Sequence, residues 1–154
     1  MIANTTSEIN PKSLVVSGAA AGITIIIVGT GLIPILGDQM DVALEKLSVP
    51  PLSNAAMAYF GIMSFLLGVA IMWIYALIYH NFKTSLSAAL TIALFFWFFT
   101  YFWSNAALVA YGFLSSEIAA VGTAYGLIEL IAAAVVGSKI YRPKGEPQTR
   151  AFLS

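Results

Sequence analysis

A chain of 154 residues with seven basic and seven acidic side chains has no formal net charge, and only 9% of its residues are charged while 60% are hydrophobic. Soluble domains average about 25% charged residues, so this composition excludes a soluble core-and-surface protein, and so much apolar content excludes a disordered one. No basic patch is interleaved with aromatics, which excludes nucleic acid as a partner. The lack of cysteine excludes structural disulfides, thiolate metal sites and haem attachment through a CxxCH pair.

Residues 1–13 are polar, contain a proline and read as a short cytoplasmic arm. Four continuous apolar runs follow, at 14–36, 54–79, 86–114 and 118–141. Each exceeds the ~20 residues that cross a hydrocarbon core as a helix. Lipid offers no hydrogen bonds to a backbone, so only helices or closed barrels span it, and runs without alternation are not barrel strands. The sequence therefore predicts an all-α membrane four-helix bundle over 14–142, readable as two tandem helical hairpins. The first run is longer than a signal-peptide core, and its GAAAG at 18–22 stands near its start instead of at a cleavage point. It is read as a retained first helix.

Between the first two runs, loop 37–53 has structure of its own. Asp38 can cap a short helix with Asp41 three positions on, Met40, Leu44 and Leu47 make one apolar face, and Pro50 and Pro51 end it. This helix is expected to lie flat at the outer interface. Its acids Asp38, Asp41 and Glu45 read as a solvated face. Residues 143–154, basic and proline-containing, form a flexible cytoplasmic tail.

The basic residues set the orientation. Lys12, Lys83, Lys139, Arg142, Lys144 and Arg150 fall on one side of four crossings and Lys46 alone on the other, beside Asp38, Asp41, Glu45 and Glu117. The positive-inside rule then puts both termini in the cytoplasm. A weak repeat links the second and fourth runs: a shift of 66 positions aligns Ala58, Tyr59, Ile62, Val69, Ile74 and Tyr75 with Ala124, Tyr125, Ile128, Val135, Ile140 and Tyr141. It fits two hairpins of the same orientation, and it also fits the common composition of apolar helices.

WIYALIY at 73–79, GTAYGLIEL at 122–130 and the LSVPPLS loop at 47–53 carry a resemblance to a group of uncharacterised bacterial four-helix integral membrane proteins. The resemblance implies architecture and a bacterial cytoplasmic membrane. It implies no activity. The basic residues that the group carries after the second helix are reduced here to His80 and Lys83.

Glu129 is the acid out of place, about eleven residues into the last run. An ionisable group at mid-membrane costs on the order of 3 kcal/mol on insertion scales, so it should face protein and not lipid. Gly122, Tyr125, Gly126, Ala133, Val136 and Gly137 share its face at 100° per residue, and Gly122–Gly126 has the GxxxG spacing of close helix contacts. Gly18 and Gly22, continued by Gly29, form a similar face on the first helix. Gly61, Ser64 and Gly68 do so on the second. The segment FFWFFTYFW at 95–103 divides the same way: Trp97, Thr100, Tyr101 and Ser104 cluster on one side with Asn105 beside them, and Phe95, Phe99 and Phe102 lie opposite. The sequence thus predicts a buried polar layer of Glu129 with Tyr101, Thr100, Ser104, Trp97, Ser64 and Tyr125. Such a layer is either a structural pin or a proton or cation site.

No cofactor is implied. A single histidine, His80, and no paired carboxylates leave metal chemistry without a ligand set. Three readings remain. The first is a non-catalytic membrane protein acting by assembly, as a homo-oligomer or with other membrane subunits, in contact with the lipid bilayer. The second is a small proton- or cation-coupled transporter or channel using Glu129. The third, which has no base or nucleophile beyond Glu129 and tyrosines, is a lipid- or quinone-handling enzyme.

Overall fold

The computed structural model describes residues 9–50 and 53–144. The arm over residues 1–8, the tail beyond residue 144 and Pro51 lie outside them. Five helices and no strand occur among the described residues. They are α1 (Pro11–Thr30), α2 (Ile33–Lys46), α3 (Asn54–Ile78), α4 (Ser85–Ala110) and α5 (Ser116–Ile140). All but α2 are long and apolar enough to cross a membrane, which marks an integral membrane protein.

Each spanning helix begins on a short polar side chain that accepts an orphan amide of the first turn. Asn10 accepts from Ser13 N–H, Ser53 from Ala56, Thr84 from Ser87 and Ser115 from Ile118. The exit of α4 turns on Gly112, whose φ of 76° suits a residue without a β-carbon. Phe113 N–H then returns to the carbonyl of Leu108. The helix therefore stops four residues short of the apolar run.

The first apolar run is not one helix. The chain breaks after Thr30 and restarts at Ile33 with Pro34 in the first turn of α2, where a missing N–H costs nothing and the fixed φ is already helical. Asp38 accordingly lies inside α2 and does not cap it. The cap position is Leu32, which makes no side-chain hydrogen bond. On the apolar side Leu36 is buried, Ala43 and Leu44 are half-buried, and Met40 and Leu47 are exposed. The helix ends through Ser48 at a φ of 55°, with Val49 N–H on Leu44 C=O.

In space α1 lies between α3 and α5, and α4 packs along the far side of α5. α3 and α4 meet only slightly. Two hairpins, α1 with α3 and α4 with α5, are thus joined through their α1 and α5 members. A symmetric repeat would make the α3–α4 contact equal to that of α1 with α5, and the packing is unequal. The α1–α3 seam is made by backbone: a β-carbon on Gly22 would stand 2.7 Å from the Cα of Phe65, one on Gly18 2.9 Å from that of Val69, and one on Gly68 inside the backbone of Gly22. Close approach through small residues is how helices gain packing where lipid supplies no hydrophobic drive.

The core is off-centre. Ser17, Ala21, Ile25, Ile71, Met72, Tyr75, Ala88, Ala89, Ile92, Leu130, Ala133 and Tyr141 are buried, and nearly all belong to the end of the bundle that holds residues 9 and 144. There Tyr75, Tyr79 and Tyr141 pack ring against ring, Tyr75 and Ser85 hydroxyls bond at 2.7 Å, and Arg142 N–H donates to the Ser13 hydroxyl. Toward the loop end few of the described apolar residues are buried: Leu36, Ile118 and Ala119.

Candidate functional site: a buried carboxyl–phenol pair

Glu129 stands at the middle of α5, where the tight and open halves of the bundle meet. Its side chain is 4% exposed. Tyr101 of α4 donates its phenolic O–H to Glu129 Oε1 at 2.7 Å. The other oxygen, Oε2, faces α1: a β-carbon on Gly29 would lie 3.1 Å from it. Glycine at 29 leaves room for the carboxyl beside the α1 backbone. Glycine at 126 does the same for the phenol, because the Tyr101 ring occupies the space that a β-carbon there would take. Two missing β-carbons and one hydroxyl therefore hold a polar group that lipid would reject.

Other polar side chains tie the same helices together without touching the carboxyl. Tyr125 donates to the Val28 carbonyl at 2.8 Å, which also accepts the Gly31 N–H that closes the last turn of α1. Trp97 Nε1–H donates to the Thr123 carbonyl at 2.8 Å, and Asn105 Nδ2 donates to the Thr123 hydroxyl at 2.9 Å. Thr100 and Ser104 turn back on their own helix, to the carbonyls of Phe96 at 2.8 Å and Phe99 at 3.2 Å. Ser64 is half-buried on α3. Among the described residues Tyr101 is the hydrogen-bond donor to the carboxyl.

The residues named from sequence thus divide. Tyr101 and Glu129 meet. Trp97 and Tyr125 bridge helices nearby, and Thr100, Ser104 and Ser64 do not reach the acid. Gly18, Gly22 and Gly68 sit in the α1–α3 seam and Gly126 under Tyr101, whereas Gly122 has only Asn105 near the place of its missing β-carbon, at 3.7 Å, and Gly61 has nothing within 4 Å. Thr123, which receives two bonds, lies off the Glu129 face and was not singled out. Its signal was available: Trp97 and Asn105 carry N–H groups that need an acceptor inside lipid.

A carboxyl hydrogen-bonded to a phenol can anchor helices or hold a proton or cation. Among the described residues no three His, Asp or Glu side chains gather as a metal site. A groove of about 650 Å³ runs between α4 and α5 toward the loop end, lined by Trp97, Phe102, Val109, Ala120, Thr123 and Leu127 among others. Glu129 is not part of its lining. Comparison with protein-family models, curated proteins and solved structures finds no match, and the resemblance noted from 73–79, 122–130 and 47–53 rests on those residues alone.

Proposed function

We propose that this is a non-catalytic integral membrane protein that works by assembly, as a homo-oligomer or as a small subunit of a larger membrane complex. One observation carries the reading. The second half of α3 buries one face (Gly68, Ile71, Met72, Tyr75 and Ala76) and exposes Trp73, Ile74 and Leu77, whereas among the apolar residues of its loop-end half no side chain is fully buried. Met57, Tyr59, Phe60, Ile62, Met63 and Leu66 are 45–60% exposed. In a bilayer an exposed apolar surface meets lipid or another helix, and aromatic and sulfur side chains on a free helix half suit packing against another helix. The Glu129–Tyr101 pair supports the same reading as an internal pin. It lies away from the groove and holds α5 to α4 while α3 is left available.

In this reading both termini lie in the cytoplasm, which the six-to-one basic distribution supports, and the bacterial membrane rests on the resemblance carried by residues 47–53, 73–79 and 122–130. A chain without cysteine makes the assembly easy to test. Ile62→Cys on the free half of α3 and Ile27→Cys on the exposed side of α1 are each cross-linked in membranes, and the native mass is then measured from mild detergent. The expected result is cross-linking at residue 62 and not at 27, with a mass above that of one 16.4 kDa chain. A single chain carrying only lipid adducts, with no cross-link at either position, would overturn the proposal.

A further inference from the structure

α4 does not wind uniformly. Ser85–Trp97 is α-helical, Phe98–Phe102 forms one π turn, and Trp103–Ala110 resumes α spacing. Trp103 N–H donates to the Phe98 carbonyl, five residues back. Where five-residue spacing gives way to four-residue spacing, one carbonyl of the turn is left without an intrahelical amide. A carbonyl skipped in this way inside a bilayer has no water to turn to. The Ser104 hydroxyl donates to the Phe99 carbonyl, the one next after the Phe98 carbonyl that Trp103 reaches, at 3.2 Å.

The extra residue in that turn changes which side chains share a face. At 100° per residue Trp97 and Asn105, eight apart, would diverge by about 80° in an uninterrupted α-helix. One residue taken up by a π turn recovers roughly 100°, which brings them within about 20° of each other. Both in fact end on Thr123, one on its carbonyl and one on its hydroxyl. Tyr101 lies between them in sequence and reaches Glu129 from the same side, its ring seated over Gly126.

We propose that the π turn, held by the Ser104 hydroxyl, sets the register of α4 on α5 and so delivers Tyr101 to Glu129. Ser104 is then a positioning residue for the buried acid, acting through the backbone of Phe99 without touching the carboxyl. Its exposed place on the helix fits this role, since a hydroxyl facing lipid gains most from a carbonyl that has lost its amide. The inference stands whether the protein assembles or remains a single chain.

The test uses the full chain in detergent and the infrared band of the Glu129 carboxyl, identified as the band lost in Glu129→Gln. Tyr101→Phe supplies the position of that band without the phenol. Ser104→Ala is expected to shift the band toward the Tyr101→Phe position, and Ser104→Thr to keep it at the wild-type position. A folded Ser104→Ala protein with the wild-type band overturns the inference, as does Ser104→Thr shifting as far as the alanine variant. If Ser104→Ala is not recovered folded, Ser104→Cys carries the test. A thiol is a weaker donor, so the band must move part of the way, and an unmoved band overturns the inference.

Discussion

Glu129 and Tyr101 form one hydrogen bond, at 2.7 Å, and the cost of losing it depends on what is left behind. Glu129→Gln keeps an oxygen for the phenol to donate to. Glu129→Leu leaves the Tyr101 hydroxyl without an acceptor in surroundings that lack water, a loss of about 1–3 kcal/mol. Thermal unfolding in mild detergent should therefore rank wild type and the glutamine variant together, with the leucine variant clearly lower. Equal midpoints for the two variants would remove the bond from the account of stability. The inward turn of Glu129 was legible in the sequence because the cost of an acid in hydrocarbon is large and has one remedy. Its choice of Tyr101 over Thr100 or Ser64 was not legible. All three stand at similar depth; the winding of α4 decides between Tyr101 and Thr100, and the packing of α3 on α1 decides against Ser64.

At the scale of helices, the small residues do two different jobs. Gly126 makes room for a ring, and Gly61 makes room for nothing within 4 Å. Gly126→Ala should displace Tyr101 and destabilise the bundle by about 1–3 kcal/mol, as overpacking does. Gly61→Ala should be neutral or raise stability by up to about 1 kcal/mol through helix propensity. The same detergent unfolding assay separates them, and a Gly126→Ala protein as stable as Gly61→Ala would contradict the packing described. The four spans were readable from length and hydropathy. The π turn was not, because a projection at a fixed 100° per residue cannot register one extra residue in a turn. It accordingly grouped Thr100 and Ser104 with Tyr101. The break between α1 and α2 was missed for a related reason: Gly31 to Pro34 are apolar enough to continue the run, while the proline is also a good first-turn residue.

For the whole molecule, the sequence located the spans but not the openness of one end. A side chain facing a neighbouring helix and one facing lipid are equally apolar, so periodicity does not tell them apart. The exposed half of α3 could be seen only once the helices were in place. Topology, in contrast, rests on charge alone. Fluorescent reporters that mature only in the cytoplasm, fused to either end, should both light up, and a dark reporter at one end would revise the crossing number or the orientation.

The acid lies in α5, which is synthesised after the other three described spans. Chains are made from the N-terminus and their early parts can pack before later parts arrive. The glycine seam of α1 with α3 joins the two spans that emerge first, and Gly29 and Tyr101 are both in the membrane before residue 129 follows. The acid therefore enters after these three neighbours, into a berth they have already furnished, and spends little time facing acyl chains.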